Sequence, residues 1–179
     1  MTTKSTHTAS MNFAGIVLAG GQSSRMGTSK ALLDYHGKPL IEHMINLLRQ
    51  AGCVDVHISG DVPGYRGIPD AVRHDGPARA MLALLRHFKD HYERLLFVPV
   101  DMPLIAVNSL RHLMSQNGSV FYNAYPLPAC LNTMGISPSC DSVREVLASA
   151  AAKGIDLPQE WAGGMANINT KKEWENIES

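Results

Sequence analysis

The sequence lacks several features that define special classes of protein. Its 179 residues include only three cysteines, Cys53, Cys130 and Cys140, an odd number at wide spacing. They form neither a disulfide framework nor a Cys-x-x-Cys metal pair, so they favour a reducing, cytoplasmic environment and a role in packing. Lys+Arg and Asp+Glu number 16 each, for a formal net charge of zero. This balance gives no indication of a general surface for nucleic acid or anionic membranes.

Long apolar segments are also absent. No hydrophobic run approaches the roughly 20 residues that span a membrane. The first twelve residues, MTTKSTHTASMN, are polar and lack the apolar core of a signal peptide. We predict a disordered tail over residues 1–12 and one folded domain over residues 13–179, because a domain usually contains roughly 100–200 residues.

Three well-known site motifs are missing. The P-loop pattern Gly-x-x-x-x-Gly-Lys-Ser/Thr is absent, because Gly27 is followed by Thr28 and not by lysine. The dinucleotide-binding pattern Gly-x-Gly-x-x-Gly is absent too. No Gly-x-Ser-x-Gly stretch marks a nucleophile elbow. Any phosphate-binding loop in this chain is therefore of another kind.

What the sequence does contain is an alternation of short apolar runs with amphipathic segments. The apolar runs predict strands over residues 14–18, 54–59, 71–73, 95–100, 119–123, 129–137 and 166–168. The 3.6-residue pattern predicts helices over residues 39–51, 77–91, 106–116, 142–152 (ended by Gly154) and from Thr170 to Ile177. Such alternation is typical of a single three-layer α/β/α domain with a Rossmann-like, mostly parallel sheet.

A glycine loop follows the first predicted strand. Gly20 and Gly21 let a ligand approach the backbone closely, and successive amides in such a turn attract anions. Arg25 and Lys30 follow in the sequence. The guanidinium group of arginine can bind two phosphate oxygens at once, and the ammonium group of lysine is a positive charge on a flexible side chain. Ligands of parallel sheets bind at the carboxyl ends of the strands, where this loop lies. The loop therefore predicts a triphosphate cradle; the alternative is a glycine turn with solvated charges.

Polar residues near two other segment ends are candidate ligands. Asp101 ends an apolar strand, where its carboxylate could hold Mg²⁺ or simply cap the next turn. Asn167 and Asn169 would point to one face of a short strand and contact the metal or an acceptor. Their alternative role is to lead into the last helix, which Thr170 caps.

The stretch LAGGQSSRMGTSKALL, residues 18–33, resembles the signature of the MobA-like nucleotidyltransferases, the molybdenum cofactor guanylyltransferase family. That signature reads LAGG-x-S-x-R-M-G-x-x-K-x-L. Three later stretches are similar to family motifs in the same order: HGKPL at 36–40, VPVDMP at 98–103 and NINT at 167–170. The resemblance extends from about residue 14 to residue 174 and implies the fold of nucleotide-diphospho-sugar transferases.

The resemblance also implies an activity. Members transfer GMP from GTP to the phosphate of molybdopterin cofactor and release pyrophosphate, with Mg²⁺ as cofactor. The implied catalytic residues are Arg25, Lys30 and Asp101, the last of which holds the metal. The implied nucleotide contacts are Leu18, Ala19, Gly20, Gly21, Lys30, Ser59, Asp75, Asn167 and Asn169. The implied partners are GTP and a molybdopterin-type acceptor, with neither nucleic acid nor membrane.

The chain departs from the family pattern at a few positions. Ser29 stands where the family has an acidic residue before the lysine, and Ala80 stands where it ends its GPLAG motif with glycine. These changes keep three hypotheses open besides GMP transfer. They are transfer from another nucleotide such as CTP, transfer to a sugar or alcohol phosphate, and nucleotide binding by a catalytically weak relative.

Overall fold

A computed structural model describes residues 12–20, 29–69, 76–136 and 139–177 of the chain. Within these ranges the strands are β1 (Phe13–Leu18), β2 (Asp34–Tyr35), β3 (Lys38–Pro39), β4 (Asp55–Ser59), β5 (Arg94–Pro99), β6 (Val120–Tyr122), β7 (Tyr125–Asn132) and β8 (Lys153–Ile155). The α-helices are α1 (Leu40–Ala51), α2 (Gly76–Phe88), α3 (Val107–Ser115), α4 (Val143–Ser149) and α5 (Lys171–Ile177). Two 3-10 helices cover Lys30–Leu32 and Gln159–Met165.

The main sheet has six strands in the order β4-β1-β5-β7-β6-β8. Strand β1 is parallel to both β4 and β5, and β6 is parallel to β8. Strand β7 runs antiparallel to its two neighbours, β5 and β6. Every strand of this six-stranded sheet except β7 therefore runs in the same direction, which confirms the predicted mostly parallel sheet.

Helices cover both faces of the sheet. On one face α1 and α3 pack against a buried cluster that includes Val17, Leu96 and Val98. On the other face α2 and α4 pack against a cluster that includes Ile16 and Phe97. Successive residues of β1 and β5 thus enter opposite cores, as alternating strand side chains must. The predicted three-layer α/β/α arrangement is confirmed.

Helix α1 begins and ends where the sequence indicates. Pro39 precedes its first residue, and Gly52 ends it in the left-handed region at φ 114°, donating its N–H to the carbonyls of Arg49 and Leu48. The buried side of α1 carries Leu40, Ile41, Met44, Leu47, Leu48 and Ala51. A 3.6-residue apolar pattern of this kind predicts helices well because it reports which side packs on the sheet.

Several predicted segments differ from the structure or extend beyond what it describes. The strand predicted over residues 129–137 is β7, which begins earlier, at Tyr125, and ends at Asn132. Helix α4 ends at Ser149, because Ala151 adopts φ 48° and turns the chain into strand β8. Residues 166–168 are not a strand; the Ile168 N–H donates to the Asp101 carbonyl (2.8 Å) across a loop. The strand expected at residues 71–73 lies outside the described residues, as do residues 1–11 of the predicted tail. Asn12, the last tail residue, donates its side-chain N–H to the His91 carbonyl (3.2 Å).

The three cysteines are buried free thiols. Burial raises the pKa of the Cys53 and Cys130 thiols to about 12, so both stay protonated at neutral pH. They are packing residues, as expected. In the part of the chain that the structure describes, we find no helix both long and apolar enough to cross a membrane.

The order of the strands fixes where a ligand can bind. From β1 the chain passes through α1 to β4 on one side, and then through α2 to β5 on the other side of β1. The two crossovers therefore leave a crevice above the adjacent carboxyl ends of β1 and β5. Open α/β sheets bind their ligands at such a switch point.

Gly15 sets the distance between β1 and α1. A methyl group built at Gly15 would lie 2.9 Å from Leu48 Cδ1 and 3.1 Å from Cys53 Sγ. We predict that Gly15→Ala lowers the free energy of unfolding by about 1–3 kcal/mol, because the core must move to admit the methyl group.

Gly163→Ala is the matched control for Gly15→Ala, since a methyl group there has no neighbour within 4 Å. It should change stability by less than about 0.5 kcal/mol. Urea unfolding followed by circular dichroism measures both variants. Equal midpoints for the two would contradict the close packing of β1 on α1.

Candidate functional site

A cleft of about 300 Å³ opens above the carboxyl ends of β1 and β5. Its lining combines a backbone-rich rim, one cation, one carboxylate and apolar walls: Leu18, Ala19, Gly20, Lys30, Pro77, Pro99, Val100, Asp101, Leu127 and Asn167. Small-molecule sites are usually concave, mostly apolar and equipped with a few convergent polar groups. The cleft therefore has the character of a ligand site.

The backbone after β1 is held on both sides. The Ala19 N–H donates to the Ser59 carbonyl (2.9 Å) at the end of β4, and the Val100 N–H donates to the Leu18 carbonyl (3.1 Å) from the end of β5. These bonds extend the parallel ladders one step past the strands. The loop that begins at Gly20 therefore leaves the sheet from a fixed position and direction.

Gly60 lies against Gly20, where this loop begins. Its φ is +106°, and a methyl group built on it would lie 2.7 Å from the Gly20 nitrogen. The Gly60 N–H donates to the Ile68 carbonyl (2.9 Å), and the Ile68 N–H returns a bond to the Ile58 carbonyl (2.8 Å). A glycine is needed here for both its backbone conformation and the close approach of the two loops.

Lys30 joins three segments of the chain at the cleft. Lys30 is the first residue of the first 3-10 helix. Its Nζ donates to the Ile168 carbonyl (3.1 Å) and to Asn169 Oδ1 (2.8 Å). The same Nζ lies 3.5 Å from Asp101 Oδ2, with both side chains 21% exposed. This partial burial strengthens the attraction relative to a fully exposed pair, yet leaves the ammonium group within reach of a ligand.

Asp101 is placed by backbone bonds to the C-terminal loop. Its carbonyl accepts from the Ile168 N–H (2.8 Å), so its carboxylate stands at the cleft beside Lys30. Asn167 also lines the cleft, and Asn169 binds the same lysine. The site thus assembles hard oxygen donors, the ligand type that Mg²⁺ prefers.

The described part of the chain offers few side chains that could bind a metal. Within residues 12–20, 29–69, 76–136 and 139–177, no group of three or more His, Cys, Asp or Glu side chains could hold an ion. Mg²⁺ is often held by one or two carboxylates and takes its other ligands from substrate phosphates and water. The carboxylate of Asp101 fits a site of this kind, in which substrate phosphates and water supply most of the metal's ligands.

The predicted site residues fall into three groups. Those brought together at the cleft are Leu18, Ala19, Gly20, Lys30, Asp101, Asn167 and Asn169. Ser59 is only 2% exposed and lies behind Ala19, where its carbonyl holds the Ala19 amide. Gly21, Arg25 and Asp75 lie outside the described residues. The roles of all these residues remain predictions.

Other groups at the cleft were not among the predicted site residues. Pro77, at the start of α2, and Leu127, near the start of β7, both line it. Gly76 and Pro77 match the first two positions of the GPLAG motif that ends at Ala80 in this chain, and this match could have indicated Pro77. Leu127 reaches the cleft because β7 runs antiparallel beside β5, and no local pattern predicts that placement. The Ile168 carbonyl is a backbone ligand that no side-chain pattern could indicate.

Comparison with protein families and curated proteins gives consistent matches. Residues 15–153 match the model of the MobA-like NTP transferase domain. The chain is 36% identical over 178 residues to the molybdenum cofactor guanylyltransferase of Xanthomonas euvesicatoria pv. vesicatoria, covering 92% of this chain and 94% of that protein. It is 31% identical over 187 residues to the probable molybdenum cofactor guanylyltransferase of Mycobacterium avium, covering 90% and 93%.

Solved structures share the fold at lower identity. Molybdopterin-guanine dinucleotide biosynthesis protein A from Archaeoglobus fulgidus superposes with a TM-score of 0.65 at 19% identity, covering 92% of this chain and 96% of that one. Rv0371c from Mycobacterium tuberculosis superposes with a TM-score of 0.68 at 16% identity, covering 94% and 98%. A structure of Rv0371c in complex with manganese gives a TM-score of 0.62 at 14% identity, covering 93% and 98%.

The contact between Gly60 and Gly20 generates a stability prediction. Gly60→Ala should destabilise the protein by about 1–3 kcal/mol more than Gly64→Ala, because its methyl group would press on the Gly20 backbone. Gly64 is the matched control: its φ is +84°, so alanine is strained there too, but nothing lies within 4 Å of the added methyl group. Chemical unfolding measures both. If the two variants lose the same stability, the close approach of the loops does not matter energetically.

Proposed function

Because the chain belongs to the MobA-like NTP transferase family, a family of nucleotidyltransferases, we propose that it transfers GMP from GTP to molybdopterin cofactor and releases pyrophosphate. One observation of the site carries the proposal: Lys30 and Asp101 lie 3.5 Å apart at the switch point of the sheet, beside the start of the glycine loop. Relatives named molybdenum cofactor guanylyltransferase support the choice of base and acceptor.

The triphosphate is proposed to lie over the Ala19–Gly20 backbone. Lys30 would then keep its bonds to Asn169 and to the Ile168 carbonyl and turn the N–H that faces Asp101 to a phosphate oxygen. The Ala19 amide is already bonded to the Ser59 carbonyl, so the amides available to the phosphates begin at Gly20. Arg25 and Gly21 are the further triphosphate contacts that the sequence predicts.

The chemistry asks little more of the protein than positioning and charge. The acceptor oxygen belongs to a phosphate that is anionic near neutral pH, so the reaction needs no general base. Lys30 would offset charge on the α-phosphate as the acceptor oxygen attacks in line and pyrophosphate leaves. The apolar walls formed by Pro99, Val100 and Leu127 would face the reacting groups.

Mg²⁺ is the proposed metal, and the residues that would hold it are Asp101 together with the amide oxygens of Asn167 or Asn169. When bound, Mg²⁺ would supply positive charge that offsets the negative charge of the phosphates and of the departing pyrophosphate. Among the described residues that line the cleft, Asp101 is the one carboxylate, and substrate phosphates could complete the metal's ligands.

The base is proposed to lie beyond the end of β4. Ser59 and Gly60 end that strand next to the start of the glycine loop. Guanine presents N1–H and N2–H₂ donors that cytosine and adenine lack in this arrangement, so a fixed acceptor would select it. The Gly60 backbone and the carboxylate of Asp75 are the proposed acceptors.

We place the reaction in the cytoplasm, without nucleic acid or membrane as partner. The free, buried state of all three cysteines supports a reducing compartment. The zero formal net charge supports the lack of a polyanionic partner.

Asp101→Asn tests the metal role. The amide keeps the shape but removes the charge, so we expect turnover with GTP, Mg²⁺ and molybdopterin to fall by about 100-fold or more. GTP binding without metal should change little. Asp90→Asn, an exposed carboxylate at the amino end of the sheet, should keep wild-type turnover. Pyrophosphate release measures the rates. A wild type equally active with and without Mg²⁺ would exclude the role.

Competition among nucleotides tests the guanylyl assignment. At fixed Mg²⁺ we expect GTP to bind about 100-fold or more tightly than CTP and ATP, because the wrong base leaves buried polar groups unpaired. Displacement of a fluorescent GTP analogue measures the affinities. Tighter binding of CTP would reject the guanylyl assignment and leave the nucleotidyltransferase class intact. GTP binding without pyrophosphate release, tested with molybdopterin and with sugar or alcohol phosphates, would favour the catalytically weak relative.

A further inference from the structure

A carboxylate of the last helix organises the loop that holds Lys30. One oxygen of Glu173, Oε2, accepts from the backbone N–H of Asn169 (2.8 Å) and from that of Thr170 (2.8 Å). In return the Glu173 N–H donates to Thr170 Oγ1 (3.2 Å). These bonds form a capping box, which fixes the chain at the point where it enters α5.

The same loop presents two of the oxygens that hold the lysine. Asn169 Oδ1 and the Ile168 carbonyl both accept from Lys30 Nζ, at 2.8 Å and 3.1 Å. Asn169 therefore stands between two charges, with its backbone N–H bonded to Glu173 and its side chain bonded to Lys30. A shift of the Asn169 backbone would move the Oδ1 atom that lies 2.8 Å from Lys30 Nζ.

The charge of Glu173 is stabilised in this position. The N–H groups of Asn169 and Thr170, and to a smaller extent the charge of Lys30, lower the pKa of the Glu173 carboxyl below its usual value. The carboxyl group is consequently ionised at neutral pH and accepts these bonds as an anion. Charge-assisted bonds of this kind are shorter and stronger than neutral ones.

Trp174 keeps α5 from turning away. Its side chain is 8% exposed and packs on Tyr35 with ring centroids 5.8 Å apart. Tyr35 belongs to strand β2, which begins shortly after the 3-10 helix that carries Lys30. Trp174 thus connects α5 to strand β2, and the neighbouring Glu173 connects α5 to the loop that binds Lys30.

We propose that Glu173 is a positioning residue for the reaction: it fixes Asn169 and Ile168, which in turn hold the Lys30 ammonium group at the phosphate site. The consequence for catalysis rests on the proposed function, because it requires that Lys30 bind the triphosphate. The positioning itself is a property of the ligand-free protein. An ordinary helix cap would stabilise α5 without affecting the chemistry of a lysine that lies 143 positions earlier in the chain.

Chemical labelling of Lys30 tests the positioning without any nucleotide. In Glu173→Ala, acetic anhydride at fixed pH should acetylate Lys30 several-fold faster than in the wild type, measured by mass spectrometry against exposed Lys38. Glu173→Gln keeps the shape and one acceptor oxygen, so its rate should lie between the two. Glu160→Ala, an exposed carboxylate on the second 3-10 helix, should leave the rate unchanged. Unchanged labelling in a folded Glu173→Ala protein would overturn the proposal.

A double-mutant cycle tests the consequence for nucleotide binding. Glu173→Ala should weaken binding of GTP with Mg²⁺ by about 10-fold in the wild-type background and hardly at all in a Lys30→Ala background. Isothermal titration measures the four affinities. Equal loss in both backgrounds would show that Glu173 acts on the fold alone, and would reject it as a positioning residue.

The two experiments separate this proposal from the proposed function. If wild-type protein fails to bind GTP, the nucleotide assignment fails, while the labelling rates still decide whether Glu173 fixes Lys30. If GTP binds and the labelling rates of the Glu173 variants match the wild type, the nucleotide assignment stands and the positioning role is rejected. Glu173→Gln keeps the test valid if Glu173→Ala does not fold.

Discussion

The site depends on the contacts between the Lys30 ammonium group and the oxygen atoms around it. This group gathers oxygens from Asp101, Ile168 and Asn169, which come from the end of β5 and from the loop before α5. Several oxygens facing one cleft would repel one another without a cation among them. Lys30 supplies that cation, and the same oxygens would be suited to a divalent metal. Under the proposed function, a magnesium nucleotide would bind among charges that the ligand-free protein already balances.

That charge cluster can form only because the sheet brings its segments together. The switch point sets the ends of β1 and β5 side by side, and the Ile168–Asp101 backbone bond adds the C-terminal loop. Glycines at two levels permit this convergence. Gly15 lets α1 lie close on β1, and Gly60 lets the loop after β4 lie against Gly20. Gly15 is thus a packing requirement of the core, whereas Gly60 contacts Gly20 at the cleft.

The sequence could predict those parts that depend on local patterns. The helix α1, the buried strands β1 and β5, and the convergence of Lys30 with Asp101 all follow from periodicity and from motifs at strand ends. Residues 166–168 were wrongly predicted as a strand because Ile168 is buried like a strand residue while its backbone bonds to single loop partners. Strand β8 was missed because a left-handed turn at Ala151 separates it from α4, and alanine does not favour that conformation. Leu127 reaches the cleft only through the antiparallel placement of β7.

The bond between Lys30 and Asn169 joins residues 139 positions apart, which has a consequence for inactivation. Closing so long a loop is entropically costly unless the sheet has already brought its ends together, so this bond belongs to the late stages of folding. It also relies on α5, a helix of seven residues that has only a short stretch of packing to hold it. Short peripheral elements open locally at lower free energy than a buried sheet. Detachment of α5 would thus disperse the charge cluster while the core stays intact. Under mild denaturation the protein is expected to lose its proposed phosphate site before it loses its fold.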